Sequence, residues 1–186
     1  MAKGFYSHAE GYQAKAYGKA SHAEGYQTQV SCATLDNSYS HAEGYLSKAK
    51  GEYGSHAEGY NTNSTNYSAH SEGRETTASG QYSHAEGYKS EATADSSHAE
   101  GGYKDDGRKG GTASGPGSHA EGELTQATGR DSHAEGWNTY TAGWASHAEG
   151  YETKATKIGA HSFGAYTEAN GEESWAGGYA AVASND

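Results

Sequence analysis

Residues 132–150 read Ser-His-Ala-Glu-Gly-Trp-Asn-Thr-Tyr-Thr-Ala-Gly-Trp-Ala-Ser-His-Ala-Glu-Gly, so one pentapeptide returns after fourteen residues. This pentapeptide occurs nine times, beginning at Ser7, Ser21, Ser40, Ser55, Ser83, Ser97, Ser118, Ser132 and Ser146. Two altered copies span residues 69–73 and 160–164, and a divergent copy spans residues 174–178. All eleven histidines of the chain lie in these copies. A pattern with such a fixed period predicts a solenoid.

The repeating unit is fourteen residues long. Eight of the eleven intervals between successive copies are fourteen residues, and the other three contain five, one and seven additional residues. The consensus is Ser-His-Ala-Glu-Gly-Tyr, any residue, Thr, any residue, Ala, any residue, Gly and two further residues. A disordered chain has no need of such a register, so we interpret the whole chain as folded.

Small residues alternate with larger ones inside each unit. In residues 7–11, Ser, Ala and Gly alternate with His and Glu, and in residues 14–18 small residues alternate with Lys and Tyr. This period of two predicts β-strands with one small face and one polar face. Two such strands and two tight turns close one coil per repeat. We therefore predict an all-β fold, a parallel β-roll of about twelve coils and about 55 Å in length.

The interior of so flat a coil has room for Ala, Ser, Thr and Gly, whereas a leucine would overpack it. Glycine occupies the fifth place of all twelve copies, from Gly11 to Gly178. Two explanations stay open for this glycine: a turn with positive φ, or a close approach of two backbones.

The roll forms one domain over residues 1–186, with two large insertions expected near residues 29–39 and 102–117. The second insertion is polar and rich in glycine, and it ends beside Pro116, the single proline of the chain. It is expected to form a surface loop or a hairpin that leaves the roll. Insertions in solenoids often lie on the working face.

The composition excludes several classes of protein. Leu, Ile, Val and Phe together number eight, so a large hydrophobic core cannot form and the chain needs partners to bury more surface. The net charge of −11 argues against nucleic-acid binding, which depends on Lys and Arg. No apolar run approaches the length of a transmembrane helix, so membrane insertion is not expected. A single cysteine, Cys32, rules out an intrachain disulfide.

The Ser-x-Ala-x-Gly pattern, with a second small half-repeat in each unit, resembles the head domain of the YadA-like trimeric autotransporter adhesins. It resembles even more closely the Ser-His-Ala-Glu-Gly arrays of phage tail and fibre proteins. The resemblance covers essentially the whole chain. It implies a left-handed roll and a homotrimer with three rolls side by side. Where the adhesin heads carry aliphatic residues towards the threefold axis, this chain carries His22 and Glu24, which suggests a polar axis.

Stacked coils place the histidines in one column and the glutamates in the next, and we call these two columns the His/Glu ladder. Each Glu is expected to accept a hydrogen bond from a neighbouring His, so that the ladder forms a polar trimer interface. An alternative is metal or anion binding along the axis, since three histidines per layer would suit zinc or nickel. The predicted ladder residues are His8, Glu10, His22, Glu24, His41, Glu43, His56, Glu58, His70, Glu72, His84, Glu86, His98, Glu100, His119, Glu121, His133, Glu135, His147, Glu149 and His161.

Aromatic residues directly follow the motif glycine in most copies. Stacking along the rod explains them structurally, and a platform for a glycan or a protein partner is the functional alternative. The predicted ligand surface consists of Tyr12, Tyr26, Tyr45, Tyr60, Tyr88, Trp137 and Tyr151.

The motifs of catalysis are missing. His-Ala-Glu matches part of the zinc-deaminase signature, but that signature also needs a later Cys pair, which this chain lacks. We expect no catalytic residue and no cofactor. Ice binding is disfavoured because threonines such as Thr139 and Thr153 fall on the inward phase. The sequence predicts a structural or adhesive module at a virion or bacterial cell surface, with a host glycan or protein as the candidate partner.

Overall fold

The computed structural model of the chain describes residues 1–32, 38–102 and 107–184. Within these ranges the chain is an all-β parallel solenoid of about twelve turns, and no helix occurs in them. Two twelve-stranded parallel sheets run along the solenoid, and every coil contributes one strand to each. The prediction of an all-β parallel roll is therefore confirmed at the level of the single chain.

The first sheet is built from the Ser-His-Ala-Glu-Gly segments. Its order follows the chain, because each of these segments pairs with the corresponding segments of the coils before and after it. Its strands are β1 (His8–Glu10), β3 (His22–Tyr26), β5 (His41–Tyr45), β7 (His56–Tyr60), β9 (His70–Arg74), β11 (His84–Ala85), β13 (His98–Glu100), β15 (His119–Glu123), β17 (His133–Trp137), β19 (His147–Tyr151), β21 (His161–Ala165) and β23 (Trp175–Tyr179).

The second sheet is built from the middle of the second half-repeat and has strands of two residues each. These strands are β2 (Lys15–Ala16), β4 (Gln29–Val30), β6 (Lys48–Ala49), β8 (Asn63–Ser64), β10 (Thr77–Ala78), β12 (Glu91–Ala92), β14 (Thr112–Ala113), β16 (Gln126–Ala127), β18 (Tyr140–Thr141), β20 (Lys154–Ala155), β22 (Glu168–Ala169) and β24 (Val182–Ala183).

The register places identical repeat positions beside one another. Between β17 and β19, for example, His133 pairs with His147, Ala134 with Ala148 and Glu135 with Glu149. A parallel strand pair in this register stacks like on like, so each repeat position becomes a continuous column along the rod. The columns predicted from the sequence are thus present in the structure.

The interior between the two sheets contains small side chains. Its buried hydrophobic residues in the described ranges are alanines and one valine, Val30. Buried serines and threonines complete it, and a motif serine such as Ser132 donates its hydroxyl to the carbonyl of Gly129 at 2.8 Å. Thr139 and Thr153 are 1% and 0% exposed, as the inward phase predicts.

The two turns of each coil use a conformation that the sequence did not indicate. Twenty-one non-glycine residues of the described ranges have φ between +46° and +60°, at the seventh and fourteenth places of the repeat. Such φ values are uncommon outside glycine. Hydrogen bonds between coils hold these residues: Asn138 donates its N–H to the carbonyl of Glu123, and Ala145 donates to Arg130, both at 2.9 Å.

The fifth-place glycine satisfies both explanations left open above. Gly136 has φ +108°, and a Cβ built there would overlap the carbonyl oxygen of Gly150 in the next coil. The other motif glycines share φ values of +91° to +114°. The backbones therefore approach each other at a position that also needs a glycine conformation.

The insertions interrupt the coils without changing the register. The five extra residues of the first insertion coincide with residues 33–37, and residues 103–106 belong to the second; both lie outside the described residues. The roll continues on either side of these gaps. The expected limits of both insertions were too wide, because β4 lies inside those of the first insertion and β14 inside those of the second. Pro116 occupies an ordinary turn position, where its carbonyl accepts the N–H of Asp131.

Candidate functional site

The His/Glu ladder lies on the outer surface of the first sheet, because His and Glu are the outward residues of a strand whose Ser and Ala point inward. From His22 to His133, successive imidazole rings stack with centroids 4.6–4.9 Å apart and planes within 6° of parallel. The histidine side chains from His22 to His147 are 33–40% exposed. Strand spacing thus produces one continuous, half-exposed column of imidazoles.

The expected hydrogen bonds between His and Glu do not form along most of the ladder. His8 and Glu10 lie 3.4 Å apart, within hydrogen-bond range. In most other layers the Nε2–Oε2 distance is 3.5–3.9 Å, as it is for His133 and Glu135 at 3.6 Å. Within the single chain, most of these pairs therefore lie just too far apart for a good hydrogen bond, and hydrogen bonds across a trimer interface stay a prediction.

The ring nitrogens that face the glutamates are also shielded from solvent. Nine histidines have a buried Nε2 that makes no hydrogen bond in the structure. They are His22, His41, His56, His70, His84, His98, His119, His133 and His147. A buried polar atom without a partner is costly in free energy, so each of these nitrogens has unused capacity to bind something.

The neighbouring carboxylates do not raise the pKa values of four histidines in the ladder. Burial and then the neighbouring imidazoles lower the pKa of His41, His56, His70 and His133, and these effects outweigh the nearby glutamates. A histidine in the stack has imidazoles above and below it, and a charge on each ring would repel the next. Both effects favour the neutral form of these four imidazoles.

The glutamate column carries most of the net charge of the protein. Ten of its twelve positions are glutamates, which leave fourteen other acidic residues against thirteen Lys and Arg. Glutamates elsewhere have short cationic partners, such as Glu91 with Lys109 at 2.9 Å and Glu168 with Lys154 at 2.8 Å. Among the described residues, the ladder glutamates have only histidine nitrogens, and no Lys or Arg nitrogen, within 4.0 Å of their carboxylates.

At four places the ladder brings three metal-binding atoms within 4.8 Å of one another. Each group contains imidazole nitrogen and carboxylate oxygen from two successive coils. The four groups are Glu72, His84, Glu86; His98, Glu100, His119; His119, Glu121, His133; and His133, Glu135, His147.

The aromatic column predicted as a ligand surface runs beside the glutamates. Tyr12, Tyr26, Tyr45 and Tyr60 stack with centroids 4.9 Å apart and planes within 13° of parallel. Stacked rings cover one another's faces and expose their edges, whereas a sugar stacks on an open face. This arrangement supports the structural interpretation of the column along its first four coils.

The column then changes composition. Arg74 takes the aromatic position of the fifth coil, and its guanidinium carbon lies 5.0 Å from the Tyr60 ring centroid and 5.7 Å from that of Tyr88. A cation between two aromatic faces replaces the missing ring. Further along, Trp137 and Tyr151 stack at 4.5 Å. The structure therefore places the seven predicted aromatic residues in one interrupted column.

The last two coils replace the ladder by apolar residues. Phe163 stands in the glutamate column, and Trp175 follows His161 in the histidine column with ring centroids 4.7 Å apart. The Phe163 ring lies over Gly177, where a Cβ would collide with it. Phe163 is 40% exposed and Trp175 67% exposed. A shallow pocket of about 130 Å³ lies here, lined by His147, Glu149, His161, Ser162, Phe163 and Trp175.

This aromatic end was not predicted from the sequence, in which residues 174–178 form a divergent copy of the repeat. The signal was present, since aromatic residues at two ladder positions break the pattern in adjacent coils. In the described ranges we also find no helix with the length and apolarity that a membrane span requires.

Comparison with known proteins does not place the chain in a family. No protein-family model matches the sequence, and no curated protein matches it at a significant level. A proposed function therefore has to rest on the repeat, the solenoid and the geometry of the ladder.

Proposed function

We propose that the protein is a rigid, non-catalytic spacer and attachment module that works as a parallel homotrimer of left-handed β-rolls. The observation that carries the proposal is the single repeated face, on which the histidine, glutamate and aromatic columns run beside one another along the rod. The setting that suits such a module is a phage tail fibre or a bacterial surface adhesin. The resemblance of the repeat to the arrays in those proteins supports this setting.

The thin interior supports association. The alanines and hydroxyl residues inside each coil bury little apolar surface per residue, while many aromatic side chains remain outside. Small cores are commonly supplemented by oligomerisation. Three rolls packed through one face would cover the half-exposed imidazoles and the tyrosine edges together.

The apolar end of the face supports the same arrangement. Phe163, Trp175 and Tyr179 are 40%, 67% and 78% exposed in the single chain. Aromatic residues of this kind are enriched in the centres of interfaces. Around a threefold axis, three copies of this cluster would form an apolar plug at one end of a polar ladder.

The regular register supports the role of spacer. Along the described residues every coil repeats the same strand pairing, which supports a stiff rod. Attachment would reside in the insertions and the aromatic edge, where a host glycan or protein could bind. Because most faces of the first four tyrosines are covered, such a ligand would use ring edges, hydroxyl groups or inserted residues.

The first experiment measures the mass of the native particle by light scattering at micromolar concentration. We expect three times the chain mass of 19.4 kDa. A folded species with the mass of one chain, stable over the same concentration range, would refute the trimer.

The second experiment tests which face is buried. Replacing His84 and His98 by alanine removes two stacked rings from the ladder, whereas replacing Thr77 and Glu91 changes the outer surface of the second sheet in neighbouring coils. We expect the histidine variant to dissociate at a higher chain concentration than the wild type and the control variant to retain the wild-type mass. Equal dissociation of both variants would place the interface elsewhere.

A further inference from the structure

We infer that the His/Glu ladder is a linear binding site for transition-metal dications of the zinc class, with several ions per chain. This inference goes beyond the mechanical role proposed above and does not depend on the number of chains in the particle. It rests on the shielded nitrogens, the position of the carboxylates and the charge density of the column.

The distances between ligand atoms suit a shared ion. Zinc binds imidazole nitrogen and carboxylate oxygen at about 2.0–2.2 Å. In the layers of His22, His41, His70 and His133, the Nε2–Oε2 distance is 3.5–3.6 Å. Two ligands at that separation subtend about 115° at a zinc ion, close to a tetrahedral angle. The same distance is too long for a good hydrogen bond.

The third ligand comes from the neighbouring coil. In the group of His119, Glu121 and His133, the candidate ligand atoms lie within 4.8 Å of one another. The ligand atoms of a tetrahedral zinc lie about 3.4 Å apart, so the most distant atoms of the group must approach each other by up to about 1.4 Å. The glutamate side chain has the exposure and the rotatable bonds to make that movement. One position of a tetrahedral site then remains for water or for another chain.

The charge of the column favours cations. In water, the Coulomb energy between two unit charges equals the thermal energy at a separation of about 7 Å. Carboxylates in adjacent coils are only about 4.8 Å apart, so they repel one another by more than the thermal energy. The ladder carboxylates have no Lys or Arg partner among the described residues. A dication neutralises two carboxylates, so ten glutamates accommodate about five ions per chain.

The ligand types select the class of ion. Imidazole nitrogen favours zinc, nickel and copper, whereas magnesium and calcium prefer sites made of oxygen alone. Condensation of counterions on the carboxylates would make little distinction between zinc and magnesium. Selectivity for zinc is therefore the property that separates a built site from a diffuse ion atmosphere.

The test is a calorimetric titration of chelator-treated protein with zinc chloride and, separately, with magnesium chloride at pH 7.5. We expect more than one zinc per chain and an affinity for magnesium at least tenfold weaker. The double variant Glu121→Gln, Glu135→Gln should lose zinc affinity by about tenfold or more at its sites. The control Glu91→Gln, Glu168→Gln removes the same charge from the second sheet and should bind zinc as the wild type does.

The variant His119→Gln, His133→Gln leaves the charge unchanged and should also weaken zinc binding. If this variant does not fold, the test is the NMR chemical shifts of the imidazole nitrogens in the wild-type protein, because zinc bound to Nε2 must change them. Equal affinities for zinc and magnesium, equal losses in the ladder and control variants, or unmoved imidazole resonances would each overturn the inference. The ratio of zinc to chain is informative for a monomer as well as for a trimer, so failure of the trimer proposal leaves this test intact.

Discussion

The substitution Gly136→Ala tests the packing of one coil on the next. Gly136 has φ +108°, and its Cβ would lie 3.0 Å from the carbonyl carbon and the amide nitrogen of Gly150 and closer still to the oxygen. Holding alanine in such a conformation costs about 1–3 kcal/mol. Displacing the neighbouring strand adds about 1–3 kcal/mol of overpacking. We therefore expect a loss of about 2–6 kcal/mol in the free energy of unfolding.

The matched control is Gly159→Ala, which changes a second glycine with positive φ. Gly159 has φ +62°, and the nearest atom to its Cβ is Glu173 Cγ at 3.3 Å. Ala20 and Ala145 already occupy the equivalent turn position with φ of +50° and +51°. The alanine strain is offset in part by the lower entropy of the unfolded chain, so we expect a change of about 1 kcal/mol or less.

Thermal unfolding followed by circular dichroism, at one fixed chain concentration, measures both variants. For a chain of this size each kcal/mol shifts Tm by about 2–4 °C, so the two variants should differ clearly. Similar melting temperatures for Gly136→Ala and Gly159→Ala would refute the argument that backbone approach, and not positive φ alone, requires glycine in the motif.

Three further predictions concern the ladder, the interior and the aromatic column. The pKa values of His41, His56, His70 and His133 are lowered in the folded chain, so just below pH 6.5 the unfolded chain binds more protons than the folded one. The free energy of unfolding of chelator-treated protein should therefore fall as the pH drops through that range. A higher melting temperature in mild acid would contradict this. Ala134→Leu places a large side chain in the interior and should cost about 1–3 kcal/mol or more in the free energy of unfolding. Gln126→Leu on the exposed face of the second sheet should change that free energy by about 0.5 kcal/mol or less, and chemical denaturation measures both variants. Arg74→Ala should lose about 0.5–1 kcal/mol of cation–π stabilisation, while Arg74→Tyr should restore the stack and melt at or above the wild-type temperature.

The sequence by itself determined the solenoid, because a fourteen-residue period and strict alternation leave little choice of fold. Ser132, Ala134 and Thr139 belong to the inward phase, and His133 and Glu135 belong to the outward phase, as the structure shows. The columns also follow from the period, since parallel strands in register place every fourteenth residue beside its equivalent.

Only the tertiary structure decided how the columns interact. Whether His133 donates to Glu135 depends on a few tenths of an ångström and on the ring plane, which the stacking of neighbouring coils sets. Likewise, the sign of the histidine pKa shift depends on burial and on the imidazoles above and below, and sequence spacing shows neither quantity. The positive φ of the turn residues could not be predicted from the sequence either. Backbone hydrogen bonds to the preceding coil hold this conformation for many different residue types. The repeat thus specifies which residues lie beside one another, and the packing of one coil on the next determines their hydrogen bonds and their pKa values.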